Sequence, residues 1–294
     1  MEEQTNDYLV RVLAKEAGLR ALACTTTELA NEARRRHEAE DVASAALAEG
    51  LTAASLVGAL LKIQQRVALK FEGDGPLRKM VVESDSYGRV RGYVAAPAAL
   101  EMTTAAPDTA ATGIGRNGLL TVVKDLRLND LHEGIVPLSD GQIDDDVALY
   151  LNQSEQTPSL VEIGHVMGDD GELRVAGGLL VQVLPGQEET SLDVVAERID
   201  DLPPIGNLLH SGERPEDVLA ALFAGFEYET LETRLLQFDC TCSWKRSEKA
   251  LIMLGRAEIE TLIAEGQAVV DCHFCHQRYI FGREALETIL DKVK

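Results

Sequence analysis

The chain has 294 residues, 45% of them hydrophobic and 26% charged, a balance that supports a sizeable buried core and argues against wholesale disorder. Aromatic residues supply only 4%, so that core is built largely from Leu, Val, Ile and Ala. The 28 lysines and arginines face 49 aspartates and glutamates, and a net charge of −21 repels phosphate backbones and anionic surfaces, which argues against nucleic-acid and membrane partners.

The N-terminus, Met1-Glu2-Glu3-Gln4-Thr5-Asn6-Asp7, is acidic and polar, the reverse of a secretory signal. The longest uninterrupted apolar stretch, around residues 53–61, falls short of the roughly 18–20 residues of a membrane span. A cytoplasmic protein is expected. In that reducing compartment cysteines serve as metal ligands or redox-active thiols rather than as stable disulfides. Of the five cysteines, Cys24 stands alone and four lie near the C-terminus.

In chain order, the first 65 residues read as helices. Thr25-Thr26-Thr27-Glu28 fits a capping box, and residues 43–63 read as a buried Ala- and Leu-rich helix. Residues 67–72, 77–83 and 89–94, separated by Gly73-Asp74-Gly75-Pro76 and Ser84-Asp85-Ser86-Tyr87-Gly88, predict a three-stranded meander. A loose Thr- and Ala-rich segment covers residues 95–118, and a strand follows at 119–123. Residues 142–153 have helical spacing with Asp144, Asp145 and Asp146 at their start. Residues 160–166 and 174–184 flank Gly168-Asp169-Asp170-Gly171 as a hairpin. Helices and antiparallel strands in separate runs predict an α+β fold. Residues 187–235 read as helices with twelve carboxylates against Arg198, Arg214 and Arg234, broken at Pro203-Pro204 and near Pro215. Their apolar faces, including Leu192, Val195, Leu209, Val218, Leu222 and Phe223, must lie against something.

The strongest chemical signal is Cys240-Thr241-Cys242 followed, 29 residues later, by Cys272-His273-Phe274-Cys275. Two cysteine pairs supply four ligands for one tetrahedral zinc, and four thiolates leave no open position for hydrolytic chemistry. The intervening residues read as one or two helices, and the final 55 or so residues form a domain small enough to need a staple. Thiolate is also the form that oxidants attack, so oxidation within each pair would empty the ligand set. Spacing alone leaves two readings open, a redox switch and a permanent structural zinc.

Weaker candidates resolve into local structure. His273 or His276 could replace a thiolate, but four cysteines make this unnecessary. Gly113-Ile114-Gly115-Arg116-Asn117-Gly118 matches a dinucleotide-binding glycine pattern, yet it precedes a strand where that motif needs to open a helix. Asp144-Asp145-Asp146 suits a helix start, and Asp169-Asp170 suits a turn. His37, His132, His165 and His210 form no cluster in the sequence, and Cys24 reads as a buried or inert thiol. No nucleophile elbow or phosphate loop is present, and no catalytic residue is expected.

Several stretches together resemble the heat shock protein 33 family of redox-regulated holdase chaperones. In the tail these are Phe238-Asp239-Cys240-Thr241-Cys242-Ser243, Ala250-Leu251, Leu254-Gly255, Glu258-Ile259 and Cys272-His273-Phe274-Cys275 with Tyr279 and Phe281. In the body they are Gly73-Asp74-Gly75-Pro76, Arg91-Gly92-Tyr93, Tyr150-Leu151-Asn152-Gln153-Ser154-Glu155-Gln156 and Ala176-Gly177-Gly178-Leu179-Leu180-Val181-Gln182. Trp244-Lys245-Arg246 departs from the family's usual Arg-Glu-Arg-like run and puts the local packing in question.

The resemblance implies three regions: an N-terminal α+β chaperone and dimerisation domain at 1–186, a helical acidic linker at 187–235 and a zinc-binding redox domain at 236–294. It implies that Cys240, Cys242, Cys272 and Cys275 bind one Zn2+ in a reduced, inactive protein. It further implies that oxidants join Cys240 to Cys242 and Cys272 to Cys275, releasing the metal and unfolding the linker. Unfolding client proteins then bind the exposed apolar surface, the active form is a homodimer, and no nucleotide is used. Two other readings stand beside it: a thiol–disulfide oxidoreductase using Cys272 and Cys275, and a structural zinc module for a fixed protein partner.

Overall fold

The computed structural model describes residues 7–95, 113–128 and 130–293, and within them the chain is a mixed α+β protein. It divides into two units, Met1–Asp239 and Cys240–Lys294.

The larger unit opens with strands where the sequence suggests helix. β1 (Tyr8–Ala14) and β2 (Leu19–Thr25) form an antiparallel hairpin. Leu9, Leu22 and Cys24 enter one core while Val10, Val12, Ala21 and Ala23 enter another. A strand buried on both faces loses its polar alternation, and a short apolar run of that kind cannot be told from a helix by period alone. α1 (Thr27–His37) follows, and its start corrects the expected capping box. Thr25 ends β2, Thr26 occupies the N-cap, and the amide of Leu29 donates instead to the Asp7 carboxylate at 2.7 Å. Burial raises the Asp7 pKa to about 6 even though helix amides pull it down.

α2 (Asp41–Ala59) is buried at every position except Asp41 and Glu49. It is long and apolar enough to cross a membrane by length and composition, which the uninterrupted runs did not suggest, and 94% of its apolar window is buried in the protein. Ser44, Thr52 and Ser55 interrupt the run in sequence but bond to the carbonyls of Ala39, Ala48 and Leu51, so they are satisfied in the core. The meander β3 (Arg66–Gly73), β4 (Lys79–Asp85) and β5 (Arg89–Val94) follows as expected. Residues 96–112 of the loose segment lie outside the described residues. β6 (Gly118–Asp125) is the anticipated strand, and β7 (His132–Pro137), largely exposed and polar, is an additional one.

α3 (Ile143–Gln153) and the hairpin β8 (Ser159–Met167) and β9 (Leu173–Val183) match expectation. Residues 187–235 contain α4 (Thr190–Asp201), α5 (Ile205–His210) and α6 (Pro215–Leu222), but their end is β10 (Glu229–Leu235), not helix. β10 pairs antiparallel with β1 at a sheet edge, where Glu229 is exposed and Glu232 is half-buried in ion pairs with Arg11 and Arg234. β11 (Gln237–Phe238) then pairs parallel with β5.

Two sheets result, ordered β10-β1-β2-β9-β8 and β11-β5-β4-β3-β6-β7. α1 and α2 fill the space between them, and the shared core contains Leu47, Leu51, Phe71, Val82 and Leu180. The other face of the five-stranded sheet is covered by α4, α5 and α6, whose Leu192, Val195, Ile205, Leu209, Leu222 and Phe223 form a second core with Val10, Val12, Leu19 and Val181. The apolar faces of the acidic segment therefore have their cover within the larger unit.

The smaller unit contains α7 (Trp244–Ile252), α8 (Arg256–Glu265), β12 (Gln267–Asp271), β13 (Arg278–Gly282) and α9 (Arg283–Leu290). β12 and β13 form an antiparallel hairpin. Its core is thin: Leu251, Ile259, Ala268, Phe281, Leu286, Ile289 and Val293 form its cluster of buried apolar residues among those described.

Candidate metal centre

The turn between β12 and β13 carries the second cysteine pair. The Cys272 amide donates to the Gln277 carbonyl at 3.0 Å and the His276 amide to the Cys272 carbonyl at 2.8 Å, with His276 in the left-handed region at φ 55°. The Asp271 carboxylate takes both arms of the Arg278 guanidinium, at 2.8 and 3.0 Å, across the mouth of the turn. The tight turn also directs the amides of Phe274 and Cys275 at the Cys272 sulfur and that of Gln277 at the Cys275 sulfur. The first pair precedes α7. Ser243 caps that helix, its hydroxyl accepting from the Arg246 amide at 3.3 Å, and the Arg246 guanidinium reaches back to the Thr241 hydroxyl.

These two loops bring the sulfurs of Cys240, Cys242, Cys272 and Cys275 within 4.8 Å of one another. Cys240 Sγ stands 3.6 Å from Cys272 Sγ, and Cys242 Sγ stands 3.3 Å from Cys275 Sγ. A bond of about 2.3 Å from each sulfur to a central zinc gives a tetrahedron with edges of roughly 3.8 Å, so the donor set and its spacing fit that ion. No disulfide joins any of the four, and burial raises the pKa of both Cys272 and Cys275. As bare groups they resist ionising together; a divalent cation removes that obstacle. His273 and His276 are exposed and lie outside the cluster, which is the only such group among the described residues.

The aromatic surroundings answer the question raised by Trp244. Its ring lies against Phe281, with centroids 4.1 Å apart, and meets Tyr279 edge-on at 6.5 Å. Tyr279 and Phe281 alternate onto this face of β13, and the Tyr279 hydroxyl donates to Cys242 Sγ at 3.1 Å. That bond pushes the Tyr279 hydroxyl up to about 12. No role for Tyr279 followed from the sequence, although a tyrosine four positions past a ligand cysteine and two before a buried phenylalanine is a usable signal.

The remaining sequence candidates have structural roles. Cys24 is fully buried in the larger unit and its thiol is held up by burial. The glycine pattern packs on another loop: the Gly75 and Leu77 amides donate to the carbonyls of Ile114 and Gly113, and Asp74 accepts from the Arg116 and Asn117 amides. Asp146 accepts from the Ser139 amide at 2.7 Å near the start of α3, and Asp170 closes its turn on the Glu172 amide at 3.1 Å. Asp144 is raised to about 6 by burial and by nearby Glu49, which itself pairs with His165 at 3.0 Å. Cys272 and Cys275 sit in a hairpin turn rather than at the helix start that a thiol–disulfide oxidoreductase would use.

A second feature escaped sequence reasoning. At β8 the Glu162 carboxylate accepts the Ile205 amide at 2.7 Å, capping α5. Beside it the backbones of Gly164 and Gly206 touch: a Cβ on Gly164 would lie 2.7 Å from the Gly206 nitrogen. Two isolated glycines 42 positions apart give no sequence signal for this contact.

Comparison with known proteins accounts for the fold. The model described as Hsp33 protein matches residues 7–282. The chain belongs to the Hsp33 family. It is 43% identical over 293 residues to the 33 kDa chaperonin of Geobacter sulfurreducens, covering 99% of this chain and 97% of that one. It is 41% identical to the 33 kDa chaperonin of Geobacillus kaustophilus, covering 98% and 99%. The crystal structure of the Hsp33 homologue from Thermotoga maritima superposes with a TM-score of 0.89 at 33% identity, covering 98% of each chain. The Hsp33 family is one of chaperones, not of enzymes, and its members' partners are unfolded proteins. The α+β fold and the family expected from the sequence are both borne out.

Proposed function

We propose that this protein is a redox-regulated, ATP-independent holdase, shut in the reduced state by one zinc ion held by Cys240, Cys242, Cys272 and Cys275. The observation that carries this reading is four sulfurs within 4.8 Å in a unit whose apolar core is thin. When bound, the ion supplies the charge that keeps the four sulfurs as thiolates and contributes on the order of 10–16 kcal/mol of binding free energy, which is also folding free energy.

Oxidation would join Cys240 to Cys242 and Cys272 to Cys275. Each S–S bond forms from two thiolates as two electrons and two protons convert one peroxide into two waters. Drawing each pair together removes the ligand set, and the smaller unit then has too little buried surface to stay folded. The chain runs from that unit directly into β11 and β10, so this loss reaches the end of the acidic linker, 187–235, through the backbone. Nine carboxylates against Arg198 and Arg214 across residues 187–222 oppose compaction of α4, α5 and α6 once their hold is weakened. Their release uncovers Val10, Val12, Leu19, Val181 and Val183 on the N-terminal domain, together with the helices' own apolar faces, and this is the surface offered to clients. Homodimerisation of the oxidised form and a cytoplasmic location belong to the same reading.

The test is light scattering from a heat-unfolding client, with protein prepared either reduced and zinc-loaded or after peroxide treatment. Suppression by the oxidised form alone is expected. Equal suppression by both forms would eliminate the switch, and reduction of insulin at a catalytic turnover would favour an oxidoreductase.

A further inference from the structure

We infer that the Tyr279 hydroxyl sets the rate at which the cysteine cluster responds to oxidant, by donating a hydrogen bond to the sulfur of Cys242. This rests on the zinc-thiolate reading above and adds a rate-setting residue to it. The bond measures 3.1 Å, and the donor is fixed in place. Tyr279 lies on β13, paired across the hairpin with Val270, and the Trp244 ring packs edge-on against it while stacking on the fully buried Phe281. The hydroxyl therefore has little freedom to leave the sulfur. On Cys272 and Cys275 the donors are backbone amides of their own turn. Cys242 instead depends on a side chain that one substitution removes.

The chemistry gives the direction. In the first step a lone pair on the Cys242 thiolate forms an S–O bond to a peroxide while the O–O bond breaks. The departing hydroxide takes a proton and becomes water. In the second step the thiolate of the other cysteine displaces the remaining hydroxyl, which leaves with a proton as the second water, and an S–S bond forms. The Tyr279 O–H bond engages the same sulfur electron density that the first step consumes, so it stabilises the starting thiolate more than the developing sulfenic acid. Removing it speeds the step without removing a ligand.

The experiment compares wild type, Tyr279→Phe and Trp244→Phe, all reduced and zinc-loaded, by zinc release to a chromogenic chelator under excess peroxide. Zinc content and circular dichroism are measured beforehand. Tyr279→Phe is expected to hold one equivalent of zinc with an unchanged spectrum and to release it about five- to tenfold faster. Trp244→Phe, which alters packing but keeps the hydroxyl, is expected to stay within about twofold of wild type, since packing swaps between aromatic residues leave the donor in place. Equal rates for wild type and Tyr279→Phe at full zinc loading would overturn the inference, as would equal acceleration by both variants. A wild type that binds no zinc would instead remove the underlying reading. If Tyr279→Phe bound less than one equivalent, the wild type loaded with cadmium-113 decides: a scalar coupling from the Tyr279 hydroxyl proton to the metal is expected, and its absence would overturn the inference.

Discussion

Substituting Gly164 by valine tests whether docking of the linker is what keeps the client surface covered. A Cβ at this position would stand 2.7 Å from the Gly206 nitrogen, 3.2 Å from its Cα and 3.3 Å from Ile205 Cγ2, so α5 cannot remain where it is. Overpacking of this kind costs about 1–3 kcal/mol when the neighbour yields slightly. If α5 lifts off altogether, Ile205 and Leu209, exposed by only 1% and 6%, lose their burial. That is roughly 1.5–3 kcal/mol for each side chain, and the Glu162 cap on the Ile205 amide goes with it. A bias of 1–3 kcal/mol raises an open population by about 5- to 150-fold. Valine is itself favoured in strands, so a loss cannot be assigned to β8 propensity. The reduced, zinc-loaded variant should therefore suppress client aggregation in part without oxidant, and the amides of α5 should exchange faster with deuterium. Unchanged exchange at 205–210 together with an inactive reduced protein would refute this account of the cover.

Three further substitutions probe other parts of the structure. Cys272→Ser is expected to lower zinc content well below one equivalent and to unfold residues 240–293 without oxidant, measured by metal analysis and hydrogen exchange. Cys24→Ala should leave peroxide-driven zinc release unchanged, because the thiol is fully buried and its pKa is raised, so that it contributes no thiolate at neutral pH. Asp144→Asn addresses pH dependence. The folded pKa of about 6 lies above the ordinary 3.8, so the charged carboxylate opposes folding at pH 7, the penalty declines as pH falls through 6, and it is gone near 4. The variant should be more stable at pH 7 by at most about 3 kcal/mol and no more stable at pH 4, as read from thermal midpoints across pH.

The parts that were legible in the sequence are those whose chemistry is local. The spacing of Cys240, Cys242, Cys272 and Cys275 announced a four-sulfur cluster because each pair is held by its own loop. The β3–β5 meander and the β8–β9 hairpin were legible from alternation and turn residues. β1 and β2 were not, because layers of helices on both sides of the five-stranded sheet erase the polar face that marks a strand. β10 was hidden by its glutamates, which suit an exposed edge as well as a helix. The cap on α1 was misread because its acceptor, Asp7, comes from 22 residues upstream of Leu29. Tyr279 on Cys242 and Gly164 on Gly206 are likewise contacts made by tertiary folding, and periodicity carries no record of them.

In the proposed switch a thiolate-bound ion holds the protein inactive. This is tested most directly by a peroxide titration of the reduced protein that follows free thiols, released zinc and client protection in the same samples. One zinc is expected to be released as four thiols are lost, with protection rising from near zero in step with that release. Full protection while all four thiols and the zinc are still present, or a reduced protein that carries no zinc at all, would contradict it.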